Sequence, residues 1–335
     1  MLSTTLLTAL LSLTNLAISA PTPASSPLPL VIWHGLGDRF DADGIASVSK
    51  LAKKVHPNTY VYPIRVADEG GADARASFFG NLSAQIDQVC TNLTSNPHLS
   101  ANNTRIDALG FSQGGQFLRG LVERCPGIEV RSLVTFGSQH NGIAKFQECG
   151  TFDLLCKGAI AAIKGNAWGD WVQSNIVPAQ YYREKAEGSD EGSKDYLKHS
   201  NFLADVNNER KVKNEIYKER LGSLSHFAMY VFENDTTVLP KESGWFAEVN
   251  ATSLEVTPLR ERTLYKEDWL GLKKLDYKGA LAFRTVDGAK HMELNKEVLV
   301  EAFEDFFGPE SILDPVVNQA KGLWQQVVMN MGKDW

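Results

Sequence analysis

The chain has 335 residues, 43% of them hydrophobic, with a net charge of −6 and a pI near 5.7. Length allows one large core or two domains, and no Lys/Arg-rich run or internal repeat appears. These features exclude an electrostatic nucleic-acid binder, fit an ordinary soluble globular protein, and suggest no reaction.

Residues 2–20 carry no charge, contain Leu-Leu-Thr-Ala-Leu-Leu-Ser-Leu and end on small residues at 17 and 19. This is the form of a signal peptide cleaved after Ser19 or Ala20, although the usual positive n-region is missing. A membrane anchor is the rival reading, but the run is short and broken by Ser, Thr and Asn. Residues 21–27, Pro-Thr-Pro-Ala-Ser-Ser-Pro, form a linker.

From residue 28 strands and helices alternate. Strands are predicted over 28–33, 59–66, 105–109 and 130–136, and helices over 44–55, 76–91 and 113–124. That alternation predicts a mainly parallel, doubly wound sheet with helices on both faces. After Gly137 the pattern changes. Over 141–224 helix-like pieces at 153–164, 168–176 and 209–220 replace strands. Strands resume at 226–232 and 281–286, and a helix over 294–307 is stopped by Gly308-Pro309. The expected organisation is a core of 28–140 and 225–309, a helical insertion of 141–224, and a tail of 310–335. Leu313, Val316, Val317, Ala320, Leu323, Trp324, Val327 and Val328 place one apolar helical face on that tail, whose role stays open.

The segment Leu109-Gly110-Phe111-Ser112-Gln113-Gly114-Gly115 is a G-x-S-x-G turn set between a strand and a helix. Glycine at 110 and 114 removes the Cβ atoms that would clash there, and Ser112 is left on a sharp turn as candidate nucleophile. A serine hydroxyl needs a base held by a carboxylate, and in this setting the order is Ser, acid, His, each after a strand. Of seven histidines, His34, His56 and His98 precede the turn, and His140 and His199 come too early. His226 begins a strand and reads as a core or edge residue. His291 follows the last strand by five residues and is the candidate base. Asp235, after strand 226–232, is the candidate acid over Glu233, Asp268, Asp276 and Asp287. An oxyanion hole needs two backbone N–H donors. Gln113 at the helix N-terminus and Leu36 in His34-Gly35-Leu36-Gly37-Asp38 are the candidates.

Four cysteines allow three pairings or four free thiols. Cys90 and Cys125 end neighbouring helices, so these two ends are joinable, and Cys149 with Cys156 would close a small loop. Asn-x-Ser/Thr sequons stand at Asn81, Asn92, Asn102, Asn234 and Asn250, which suits a secreted, lysosomal or vacuolar glycoprotein. No spacing suggests a metal, and the chemistry needs no cofactor.

PLVIWHGLGD at 29–38, GFSQGGQFLR at 110–119, RCP at 124–126, GSQH at 137–140, HSNFLADVNNER at 199–210, TLY at 263–265 and LGL at 270–272 resemble the palmitoyl-protein thioesterase family. The resemblance implies an α/β-hydrolase of the lysosome that removes long-chain acyl groups from cysteine thioesters. It also implies Ser112, Asp235 and His291 as the catalytic triad, and a second domain that helps form an acyl groove. Two departures stand out: Arg39-Phe40 replaces a cysteine pair, and Lys290 stands where an acidic residue is usual. The partners so implied are S-acylated proteins or peptides or other acyl thioesters; the charge balance predicts no nucleic acid, and the short N-terminal run no stable membrane span. Phe152, Leu154, Leu155, Trp168, Trp171 and Ile176 are the expected groove walls. A secreted lipase or carboxylesterase acting on oxyesters, and a non-catalytic hydrolase-fold binding protein, are the alternatives.

Overall fold

Strands apolar on both faces need cover on both sides, and that requirement shapes this molecule. The computed structural model describes residues 26–100, 105–146, 149–150, 153–250 and 252–310. The expectations for the signal peptide, most of the linker, Asn102, Phe152 and the tail beyond 310 lie outside these residues.

The sheet strands are β1 (Leu30–Trp33), β2 (Val61–Pro63), β3 (Ile106–Phe111), β4 (Val130–Phe136) and β5 (His226–Phe232). A short antiparallel pair, β6 (Glu248–Val249) and β7 (Val256–Thr257), precedes the last one, β8 (Leu281–Val286). All six sheet strands pair in parallel, in the order β2-β1-β3-β4-β5-β8.

Side-chain alternation divides the core in two. Val31, Trp33, Ile106, Ala108, Leu133, Phe227 and Met229 point to one face, beneath the helices Leu82–Thr94 and Gln113–Arg124. Leu30, Ile32, Leu109, Phe111, Val134, Phe136, Ala228 and Tyr230 point to the other, beneath Asp43–Val55 and Lys296–Phe306. The chain leaves β1 outward to β2 and returns to β3 on the other side of β1. The loops that follow β1 and β3 therefore diverge at this reversal, where sheets of this type open a crevice.

Between β4 and β5 the described residues hold helices and isolated bridges but no strand. Aromatic packing fastens this insertion to the core. Phe202 meets Phe117 edge-on at 6.2 Å, and Phe117 meets Trp33 at 5.4 Å. Such pairs contribute about 0.5–1.5 kcal/mol beyond area burial. Gly120 keeps the approach close, since a Cβ there would lie 3.0 Å from the Phe202 ring. Buried charge adds direction. Arg119 donates to Val206 O at 2.8 Å, Asn207 Oδ1 at 2.7 Å and Glu123 Oε1 at 2.9 Å. Arg183 donates to both Glu209 oxygens and to Glu248, joining the insertion to the segment after β5.

The strand expected over 59–66 is shorter, Val61–Pro63, and three further elements near the site differ from the sequence reading. The helix expected over 76–91 runs instead over Leu82–Thr94, after a separate short helix Gly70–Ala76. Between them Phe79 bridges to Ile176, Gly80 takes φ 142°, and Asn81 caps the second helix through Ala84 N–H. The helix expected from 209 starts at Glu215 instead, because the Glu209 carboxylate is drawn into the Arg183 network while Asn214 caps. β3 runs on to Phe111 and delivers Ser112 directly from the strand end.

Cys90 is bonded to Cys125 and Cys149 to Cys156, with no free cysteine among the described residues. The first bond closes a 35-residue separation, which in the chain-entropy model stabilises by about 3–4 kcal/mol. Replacing both Cys90 and Cys125 by Ser should lower the unfolding free energy by that amount in urea titration; an unchanged midpoint would count against it.

Burial pushes the Glu123 carboxyl up to about 8, against the opposing pull of the Arg119 guanidinium. A carboxyl raised on folding contributes stability in full below its ordinary value of 4.5 and loses it as pH rises through 8. Glu123→Gln should flatten the decline of melting temperature between those limits, and an identical slope in the two proteins would contradict this.

Candidate active site

Ser112 leaves β3 at φ 51° and ψ −126°, and the helix Gln113–Arg124 starts at the next residue. The crossing is so tight that a Cβ on Gly110 would lie 2.2 Å from Gly115 Cα. One on Gly114 would lie 2.3 Å from His34 O, and one on Gly115 2.1 Å from Ser138 Oγ. Glycine is therefore obligatory at these three positions. The close approach that they permit holds a serine in a backbone region it otherwise avoids.

The adjacent ends of β5 and β8 supply the other two side chains. The two loops are joined, since Asn234 N–H donates to Ala289 O at 2.9 Å and Gly288 N–H to Glu233 Oε2 at 2.6 Å. His291 Nε2 lies 3.0 Å from Ser112 Oγ, and His291 Nδ1 lies 2.7 Å from Asp235 Oδ2. Asp235 Oδ1 accepts from Thr237 and Val238 N–H at 2.8 and 3.0 Å, which aims the second oxygen at the imidazole. The Asp235 side chain is 1% exposed and that of His291 13%, so the carboxylate is buried and the imidazole faces the cavity. Phe232 packs edge-on against the His291 ring at 5.8 Å.

The rejected candidates have other work. His34 pairs with Asp73, His56 reaches Phe303 O, and His98 stacks on Tyr60. His140 lies in the core, 3.0 Å from Thr135 Oγ1 and stacked on Phe246. Burial, with the Arg119 charge nearby, keeps His140 well below the usual imidazole range and hence neutral. His226 sits on an interior strand beside Ser132 and Phe306. Asp276 pairs with Arg260, and Asp268 accepts from Lys273 N–H.

Leu36 lines the cavity beside Ser112, and Gln113 follows Ser112 as the first residue of its helix. Among the described residues, neither backbone N–H donates to a protein acceptor. The Gln113 side chain is clamped, its Nε2 donating to Ser77 O at 3.1 Å and its Oε1 accepting from Tyr181 O–H at 3.2 Å. Burial pushes the Tyr181 phenol up, so it remains a donor.

A cavity of about 460 Å³ opens beside Ser112 and His291. Its core-side wall includes Ile45, Val48, Leu294 and Leu299, and the insertion contributes Ile143, Phe146, Ala159, Ile160, Pro178 and Tyr181. The expected wall residues that the structure describes are not among these. Leu154, Leu155 and Trp171 face solvent, Ile176 is packed in the core, and Trp168 packs on Tyr182. Ala159 and Ile160 face the cavity from the helix Leu154–Asn166, whose Leu154 and Leu155 face away, and Ile143, Phe146, Pro178 and Tyr181 come from outside the expected helices. Tyr181 and Phe146 carried no motif that marks them in the sequence.

Of the sequons, Asn92, Asn234 and Asn250 are exposed and Asn81 half-buried. Phe40, at the departure noted above, lies under the Arg65 guanidinium at 5.5 Å, and Lys290 is exposed beside the imidazole. Among the described residues no group of His, Cys, Asp and Glu is placed to hold a metal ion, and no helix is long and apolar enough to cross a membrane.

The family described as palmitoyl protein thioesterase matches residues 29–291. Palmitoyl-protein thioesterase 1 of Caenorhabditis elegans is 34% identical over 279 residues, covering 83% of this chain and 90% of that protein. Palmitoyl-protein thioesterase 3 of Dictyostelium discoideum is 31% identical over 281 residues, covering 84% and 90%. A more distant relative, lysosomal thioesterase PPT2 of Homo sapiens, is 24% identical over 285 residues, covering 82% and 86%.

Gly137, at φ 60°, leaves room for the imidazole, because a Cβ there would lie 2.9 Å from His291 Cε1. Displacing a reacting group by about 1 Å costs about 10²-fold in rate. Gly137→Ala should slow fluorophosphonate labelling of Ser112 by that factor with the circular dichroism spectrum unchanged. Labelling at the wild-type rate would show that the ring tolerates the shift.

Proposed function

Because the chain belongs to the palmitoyl protein thioesterase family, we propose that it hydrolyses long-chain acyl thioesters of cysteine in proteins and peptides. The observation that carries this reading is the hydrogen-bonded line Ser112–His291–Asp235 at the edge of an apolar cavity. Ser112 Oγ attacks the thioester carbonyl carbon as His291 Nε2 takes its proton. Asp235 holds the ring with Nδ1–H turned to its carboxylate and stabilises the imidazolium. The carbonyl oxygen becomes an oxyanion, for which the Leu36 and Gln113 N–H groups are the donors, aided by the N-terminal end of a helix dipole.

The C–S bond then breaks, and His291 returns the proton to the cysteine sulfur. A thiol of pKa near 8.5 leaves readily, which makes the thioester an easier substrate than an oxyester at this step. Water, deprotonated by His291, attacks the acyl-serine, and the fatty acid departs while Ser112 regains its proton. The acyl chain lies in the apolar cavity, where each buried CH₂ contributes about 0.8 kcal/mol.

Sequons, disulfides and an apolar N-terminal segment support passage through the secretory pathway. The lysosomal relative supports a lysosome-like compartment as the destination.

On a palmitoylated cysteine peptide, Ser112→Ala should lose several orders of magnitude in kcat, since removal of a triad member typically costs that much. The wild type should prefer this thioester to the matched palmitoyl-serine oxyester in kcat/KM. Retained turnover in Ser112→Ala, or a strong oxyester preference, would refute the proposal.

A further inference from the structure

The histidine passed over as a base has a different partner. His34 follows β1 directly, is buried, and its Nε2 lies 2.8 Å from Asp73 Oδ2 while its Nδ1 lies 2.9 Å from Gly35 O. Asp73, on the helix Gly70–Ala76, is 1% exposed and accepts three further donors. Phe40 N–H shares Oδ2 at 3.0 Å, while Val66 and Ala67 N–H reach Oδ1 at 2.8 and 3.3 Å. One carboxylate thus gathers both ends of loop 34–40 and the segment after β2. Burial raises its pKa, but the hydrogen bonds from His34, Val66 and Phe40 outweigh burial and hold it below the ordinary carboxylate value. Four donors therefore meet an ionised acceptor.

The same short helix also reaches the middle of the loop and the residue after the nucleophile. Ser77 Oγ accepts from Gly37 N–H at 2.8 Å, and Ser77 O accepts from Gln113 Nε2 at 3.1 Å. The residues carrying both oxyanion donors are thus tied to one support. Leu36 is tied through His34, Gly37 and Phe40, and Gln113 through its side chain. The loop runs hard against the nucleophile, because a Cβ on Gly35 would lie 3.1 Å from Ser112 Cβ. At that separation a small displacement of the loop changes the distance from donor to oxyanion.

We infer that Asp73 is a positioning residue for acyl transfer, whose carboxylate holds the Leu36 N–H in register with Ser112 and Gln113. This rests on the reading of Leu36 and Gln113 as oxyanion donors. Asp73 touches no substrate and acts through His34 and the loop amides. Its effect belongs to the transition state, where charge develops on the carbonyl oxygen, and the ground-state thioester gains little from it.

Asp73→Asn keeps the shape but turns an –NH₂ towards N–H donors whichever way the amide faces. On a palmitoylated cysteine peptide, kcat per active site should fall about 10²-fold with KM within about twofold, the loss expected for one misplaced oxyanion donor. Affinity for a long-chain trifluoromethyl ketone, which forms a tetrahedral adduct on Ser112, should fall by the same factor. A wild-type kcat per folded enzyme, or a fall in kcat with ketone affinity unchanged, overturns the inference. If Asp73→Asn yields no folded protein, His34→Gln takes the same readouts, with about a tenfold loss expected. In that arm too, a wild-type kcat is the overturning result. Ser112→Ala, assayed alongside, separates the two levels. Its retained activity would overturn the acyl-enzyme reading and this inference together. An inactive Ser112→Ala beside unimpaired Asp73→Asn would overturn the positioning role alone.

Discussion

A non-glycine residue at φ 51° is tolerated only where its surroundings leave it no alternative, and at Ser112 those surroundings are three glycines and a sheet. The nucleophile helix lies against the ends of β1 and β4 at distances that no Cβ at 110, 114 or 115 would permit. That closeness forces the chain to turn within one residue and leaves the hydroxyl facing the crevice. Every other part of the site is placed relative to this turn. The loops after β5 and β8 bring carboxylate and imidazole to it from one side, and the loop after β1 packs close against Ser112 from the other.

The cavity beside the turn has walls of two origins, so its shape depends on how the insertion is held. Edge-to-face aromatic contacts from Trp33 through Phe117 to Phe202 supply adhesion, while Arg119 and Arg183 supply register. Buried charges of this kind are costly to desolvate, and removing one partner leaves the other uncompensated at about 3–5 kcal/mol. A hydrophobic contact tolerates a slide of an ångström, but a bidentate guanidinium does not. The polar seam under the insertion thus fixes which apolar side chains face Ser112.

Local patterns were readable because their physics is local. A strand, a G-x-S-x-G turn and a helix occupy about twenty contiguous residues, and the glycines are needed for contacts within that stretch and its immediate neighbours. Chain order and loop position singled out His291 and Asp235, and the structure places His291 within hydrogen-bond reach of both Asp235 and Ser112. Loop position also pointed to Leu36. It said nothing of Asp73, whose importance lies in four donors from distant segments and in no motif of its own.

The wall of the cavity shows the boundary most clearly. Apolar residues at helical spacing over 153–176 established that helices are present and amphipathic, and the chain's own periodicity was enough for that. Which stripe meets Ser112 was settled elsewhere. Phe79 bridges from the core to Ile176, while Ile143–Tyr182 and Arg183–Glu209 hold the insertion together internally, and in this arrangement Ala159 and Ile160 face the cavity while Leu154 and Trp171 face water. Periodicity reports that a helix has an apolar face. The partner of that face depends on contacts between residues tens of positions apart, and no window of sequence contains them.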